Sequence, residues 1–184
     1  MTARTIKPKC VLVDANIVIK AYEIGIWLEI VSRCEIIVPS IVVHREALFY
    51  SEKKQSIPKD IDLMQLVEQG RIKEVTATKN ELEDLYKVFD RVFVEQIDDG
   101  EAEALALLKA GKTPQALFCT GDAPAIKALA MIGQGESGIS LESLLGKLGL
   151  QKSLNIQFTQ TFFEEHLKRG SKNLITGQGL AHKK

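Results

Sequence analysis

Apolar positions along this chain fall into short runs and spaced stripes, and each spacing predicts an element. Residues 9–14 (KCVLVD) form a brief β-branched run closed by an acid, the pattern of a buried strand. Ile17, Ala21, Ile24, Leu28 and Val31 recur at intervals of three and four, which predicts one amphipathic helix over 17–32. Residues 35–39 (EIIVP) read as a second strand, and Ser40 stands where it would cap a helix running to about residue 54. A loop is expected over 55–60, which holds Ser56 and Pro58, then a helix over 61–69 stopped by Gly70. Residues 71–77 (RIKEVTA) alternate like a strand. Thr78 with Glu81 three positions on makes a capping box for a helix to about residue 92. The chain breaks at Asp98-Asp99-Gly100. Residues 101–110 are apolar nearly all round, which predicts a buried helix ended by Gly111. Residues 116–120 (ALFCT) read as a strand, and 123–131 and 141–147 as helices.

The order is strand and helix in alternation, with strands too far apart for hairpins. The fold class expected is α/β, a Rossmann-like three-layer arrangement with a parallel central sheet and helices on both faces. Ligands of such folds bind beyond the C-terminal ends of the strands. After Gly149 the pattern changes, which separates a main domain of 1–149 from an extension of 150–184. In the extension, Phe158, Phe162, Phe163 and Leu167 mark one amphipathic helix. Residues 170–184 are polar, glycine-containing and basic, and are expected to be mobile.

Composition narrows the function classes. The 184 residues suit one core of ordinary size, and 45% hydrophobic with 26% charged residues is a globular balance. No apolar run approaches the roughly 18 residues that span a bilayer. The apolar segment behind the basic N-terminus is interrupted by Asp14, Asn16 and Lys20, unlike a signal peptide, so a cytoplasmic protein without membrane partners is expected. Cys10, Cys34 and Cys119 are odd in number and far apart, with neither the zinc-site nor the disulfide-framework pattern, and Cys10 and Cys119, beside strand-like runs, read as small buried residues. The formal net charge of zero argues against a large basic groove, but not against local Lys and Arg contacts to phosphates.

Four acids fall at element junctions. Asp14 ends the first strand, Glu46 lies after the second within IVVHREALF, Glu103 sits in the first turn of the buried helix, and Asp122 follows ALFCT by two residues. Each alone has a plain structural reading. Asp14 can cap a helix, Glu46 can face solvent, Glu101 and Glu103 can favour a helix N-terminus, and Asp122 with Pro124 is a helix start. Together, at one sheet edge, they would repel one another out of water unless a divalent cation offset them. Oxygen ligands without Cys or His favour Mg²⁺ or Mn²⁺. Such a cation suits phosphodiester hydrolysis, with an activated water attacking phosphorus in line and no protein nucleophile.

The segments VLVDANIVIKAY, IVPSIVVHREALF, DDGEAEALALL and FCTGDAPAIKALA resemble, in order, the four motifs of PIN-domain ribonucleases, and GISLESLLGKLG resembles the strand–helix that closes the domain, over about residues 9–149. The third resembles the subgroup carrying Gly-Glu-x-Glu-Ala. The resemblance implies a Mg²⁺- or Mn²⁺-dependent endoribonuclease acting on RNA, often a homodimer and often a toxin paired with an antitoxin protein. It implies metal ligation by Asp14, Glu46, Glu103 and Asp122, with Asn16 and Thr120 as supporting polar groups. Glu101 and Glu103 point about 200° apart on a helix, so one of them faces the cluster. Matching Glu-Ala to the family's Asp-Ala selects Glu103, with Glu101 and Asp99 as secondary candidates.

Other readings are weaker. GQGESG (133–138) fits GxGxxG but follows a helix pattern instead of a strand, outside any dinucleotide-binding unit. His44, His166 and His182 are scattered, His44 and Glu46 do not share a helix face, and Ser40 lacks a Ser–His–Asp setting. An aspartate-nucleophile phosphatase would need an acid where Asn16 stands. A non-catalytic RNA- or protein-binding module of the same fold is the alternative. In the extension, the apolar stripe could pack on the domain, form a dimer face or receive an antitoxin helix. Lys168, Arg169, Lys172, Lys183 and Lys184 are candidates for steering RNA.

Overall fold

A computed structural model describes residues 10–52 and 57–181. Lys9, residues 53–56 at the end of the expected helix and the start of the expected loop, and His182, Lys183 and Lys184 lie outside the described residues. Strand β1 (Cys10–Val13) leads to helices α1 (Ala15–Glu23) and α2 (Trp27–Arg33), then to β2 (Glu35–Pro39) and a π-helical turn (Val42–Glu46). A short antiparallel pair, β3 (Phe49–Tyr50) with β4 (Lys59–Asp60), precedes α3 (Leu63–Glu68) and β5 (Lys73–Val75). Three helices follow: α4 (Lys79–Tyr86), α5 (Arg91–Val94) and α6 (Asp99–Lys109). Strand β6 (Ala116–Cys119), α7 (Ala123–Met131), β7 (Gly138–Ile139), α8 (Leu141–Leu148) and α9 (Gln160–Thr176) complete the chain.

The five-stranded sheet has the order β5-β2-β1-β6-β7, and every pairing is parallel. The expected α/β class with helices on both faces is therefore what the chain adopts. Side chains alternate across the sheet as strand geometry requires. Val11, Val13, Ile36 and Val38 pack one way, against Ile17, Val18, Trp27, Ile30 and Leu144. Leu12, Ile37, Ala116 and Phe118 pack the other way, against Leu85, Leu105, Ile126 and Leu129. Chain order reverses at β1. The strands run outward from it through β2 and β5, then resume on its other side with β6 and β7. In open α/β sheets this switch point opens a crevice at the C-terminal strand ends.

Several elements differ from their sequence-based expectation. The single helix over 17–32 is two, broken at Gly25, whose φ of +70° no helix accommodates. Ser40 caps nothing. Its hydroxyl donates to Glu74 Oε1 at 2.6 Å, and the segment beyond it makes a π-turn, with the Ala47 N–H donating to the Val42 carbonyl at 3.1 Å, instead of a long helix. The helix capped by Thr78 stops at Tyr86, and Asp90 starts α5 as a fresh cap. The Asp98-Asp99-Gly100 break is itself the beginning of α6.

The extension is docked over its described length, against the expectation of a mobile tail from residue 170. Helix α9 continues to Thr176, and a Cβ at Gly170 would lie 2.7 Å from Lys127 Cα, so only glycine allows α9 to pack this closely on α7. Beyond it the Asp90 N–H donates to the Gly179 carbonyl at 2.9 Å, and the Ala181 N–H to the Val88 carbonyl at 3.0 Å. No described helix is long and apolar enough to cross a membrane.

Candidate functional site

The register of the two central strands brings the first and last acids together. Val13 pairs with Cys119 in the β1–β6 ladder, so the residues that follow, Asp14 and Thr120, leave the sheet side by side at the switch point. Asp14 is 1% exposed and caps α1, its Oδ1 accepting from the Ile17 N–H at 2.9 Å. Its Oδ2 accepts a hydrogen bond from the Thr120 hydroxyl. Thr120 Oγ1 in turn accepts from the Asp122 N–H at 3.1 Å, and Asp122 caps α7 by accepting from the Ala125 N–H at 3.0 Å. One hydroxyl thus ties both aspartates to the ends of the two central strands.

The other acids arrive from α6 and the π-turn. Glu46 ends the π-turn, and its Oε1 accepts from the Gly100 N–H at 2.9 Å, in the first turn of α6. Gly100 is required there, because a Cβ would run into the Glu46 carboxylate and come within 2.8 Å of Val42 Cγ2. Glu101, 3% exposed, accepts from the Asp98 N–H at 3.2 Å through Oε2, its buried Oε1 is reached by no N–H or hydroxyl, and its carboxyl group lies against that of Asp122, whose charged form a proton on Glu101 favours. Ala15, Asn16, Ile19, Glu46, Asp98 and Glu101 line a cavity of about 260 Å³ at this edge.

Electrostatics mark the same cluster. Burial, opposed by the Thr120 and Ile17 hydrogen bonds and aided by the charges of Asp122 and Glu46, pushes Asp14 up to about 7. Glu101 is raised far above the ordinary carboxylate range, first by burial, then by Asp122 and Asp14. Asp122 and Glu46 are raised too, each mainly by burial and each against a backbone N–H that favours its charge. Three helix N-termini, those of α1, α6 and α7, meet at these acids, and their partial positive charge offsets part of the repulsion. The rest of the penalty is one that protons or a cation can relieve.

Glu103 lies beyond Glu46, which feels its charge, and is otherwise engaged. Its Oε2 accepts from the Ile41 N–H at 2.8 Å and its Oε1 from the Ala77 N–H at 3.0 Å, so a buried carboxylate clamps the segments after β2 and β5 onto α6. The expectation that Glu103 joins Asp14 and Asp122 is therefore corrected, and Glu101 takes that place. Matching dipeptides selects the glutamate that the helix turns away from Asp14 and Asp122. Asp99 is exposed at the start of α6, where Glu46 feels its charge. Asn16 is exposed on the cavity wall, and Thr120 supports Asp14 as expected.

Asp98 is a site residue that the sequence reading passes over. It lines the cavity, and its charge raises Glu46, Glu101 and Asp122. The signal is present, since Asp98 and Glu101 have the capping-box spacing that identifies Thr78 and Glu81. His44 lies apart, with its Nε2 2.9 Å from Glu74 Oε1.

Among the described residues, no three of these acids already stand as a ready ligand set for a metal ion. The donor chemistry nonetheless fits a hard divalent cation. All the candidate donors are oxygens, the carboxylates repel one another, and Glu101 carries a buried oxygen without a partner. No protein-family model, curated protein or solved structure matches the chain.

Proposed function

We propose that this protein is a Mg²⁺- or Mn²⁺-dependent endoribonuclease of the PIN-domain kind. The observation that carries the reading is the meeting of Asp14, Glu101 and Asp122 at the switch point, the first two buried and the third half-buried, all three raised, and one Glu101 oxygen reached by no N–H or hydroxyl. Structural acids normally find complete sets of donors, as Glu103 does, and this cluster does not. Asp14, Glu46, Glu101 and Asp122 would hold the cation, with Asp98 beside them. When bound, a divalent cation offsets their charge, polarises a phosphate oxygen and promotes loss of a proton from water.

The chain's own groups do the rest. Thr120 fixes Asp14 by donating to it and fixes Asp122 by accepting from its N–H. The N-termini of α1 and α7 face the same edge and favour the anionic phosphate. Asn16, on the cavity wall, offers an amide to the sugar–phosphate backbone. Water is the nucleophile. The hydroxyl bonded to the cluster, Thr120, is committed to the two aspartates and takes no covalent part.

A homodimer and an antitoxin partner belong to the same reading, with a cytoplasmic setting. The test is cleavage of a mixed single-stranded RNA with Mn²⁺, with EDTA, and by Asp14→Asn in Mn²⁺. Cleavage only by the wild type in Mn²⁺ is expected, and equal cleavage in EDTA or by the variant would overturn the assignment.

A further inference from the structure

We propose that Lys20, seated on the ring of Phe158 from the C-terminal extension, grips the phosphate backbone of the RNA strand beside the acid cluster. The inference rests on the ribonuclease reading and adds a positioning residue to it. The cavity lining holds three acids, Glu46, Asp98 and Glu101, and no basic side chain. A polyanion bound there needs fixed positive charge for the phosphates that flank the one being cut.

Lys20 is placed to supply that charge. It follows Asn16 by four residues on α1 and so shares its face, and Asn16 and Ile19 both line the cavity. Its ammonium is bound on one side by Glu23, one turn further along α1, and on the other by a ring that reaches the strand ends. The Lys20 ammonium lies 5.9 Å from the centre of the Phe158 ring. Phe158 is buried against Gly121, where a Cβ would come within 2.8 Å of the ring carbons. Gly121 is the residue between Thr120 and Asp122. One aromatic ring thus links the loop that carries two site residues to the ammonium on α1.

The side chain is also held in place before any ligand arrives. It is only 15% exposed, and its ammonium pairs with Glu23 at 3.3 Å. A lysine already lodged on a ring gives up little conformational entropy when a phosphate takes the place of Glu23 at its ammonium. The same geometry gives Phe158 of the extension a role, because its ring packs on Gly121, between the site residues Thr120 and Asp122.

The test is binding of a fluorescent single-stranded RNA in EDTA across a potassium chloride series, followed by steady-state cleavage in Mn²⁺. Lys20→Gln is expected to weaken binding about fivefold and to lower the slope of log affinity against log salt by about 0.7. KM should rise by a similar factor with kcat nearly unchanged, and Lys20→Arg should restore both. Phe158→Leu, which keeps apolar bulk but removes the ring, should reproduce the binding defect while melting cooperatively. A Lys20→Gln protein with wild-type affinity and salt slope would overturn this inference alone. A wild-type protein that neither binds nor cuts RNA would overturn the ribonuclease reading, and this inference with it.

Discussion

Two glutamates on one helix, two residues apart and both buried, have opposite surroundings. Glu103 has both carboxylate oxygens filled by backbone N–H groups from the segments after β2 and β5. Glu101 has one oxygen on the Asp98 N–H, one oxygen without a partner, and the charges of Asp14, Asp98 and Asp122 around it. Burial is the same, so burial does not identify a site. What separates them is whether the fold supplies the donors. Where it does, the acid is a brace; where it supplies further acids instead, burial and repulsion are left without compensation from the fold.

The sharpest way to break this contrast is by activity. Glu101→Gln should lower RNA cleavage on the order of a thousandfold, roughly 4 kcal/mol of transition-state stabilisation. The same change at Glu103 should leave most of the activity in whatever fraction stays folded. Equal losses per folded molecule would erase the distinction.

Stability should move the other way. Glu103→Ala strands two backbone N–H groups and should cost about 3 kcal/mol in chemical denaturation. Glu101→Gln removes a repelled carboxylate and should raise stability by about 1 kcal/mol. A stabilised Glu103→Ala protein would show that the clamp is incidental.

The pH dependence sharpens the comparison further. Asp14 has a folded value of about 7 against an ordinary 3.8, so between those values the folded state holds more protons than the unfolded one. Stability in EDTA should therefore fall as pH rises from about 4 to about 7, with Glu101 extending the fall to higher pH. The loss should flatten in Asp14→Asn, and also with Mn²⁺, which favours the charged forms. Thermal melts from about pH 4.5 to about pH 8 check this, and identical slopes for wild type and Asp14→Asn would refute it.

The smallest effect concerns the contact between the π-turn and α6. Gly100→Ala drives a methyl group into the Glu46 carboxylate and should lower cleavage about tenfold while costing about 1–2 kcal/mol in stability. Wild-type cleavage by this variant would show that Glu46 need not be held there.

How much of this can be read from the sequence follows from how local each cause is. β1, β2, β6 and α7 are legible almost to the residue, because apolar runs and caps are local signals, and Asp14 and Asp122 come with them as caps. Gly25 is visible but outweighed by a helical stripe that continues across it. The π-turn at Val42–Glu46 is not legible, since a tertiary bond from the Ile41 N–H to Glu103 fixes the start of that segment. The choice between Glu101 and Glu103 turns on which way α6 faces, and that is set by packing on two sides. The docked tail escapes a sequence reading because its polar composition hides Gly170, which serves only the close approach of α9 to α7.

The most direct test of the central claim is calorimetric titration of Mn²⁺ at about pH 7.5 into wild type, Glu101→Gln and Glu103→Gln. The account predicts saturable binding with proton release for wild type and Glu103→Gln, and affinity at least about tenfold weaker for Glu101→Gln. Equal binding by wild type and Glu101→Gln, or none by wild type, would contradict the claim that the acids at the switch point are gathered to hold a cation.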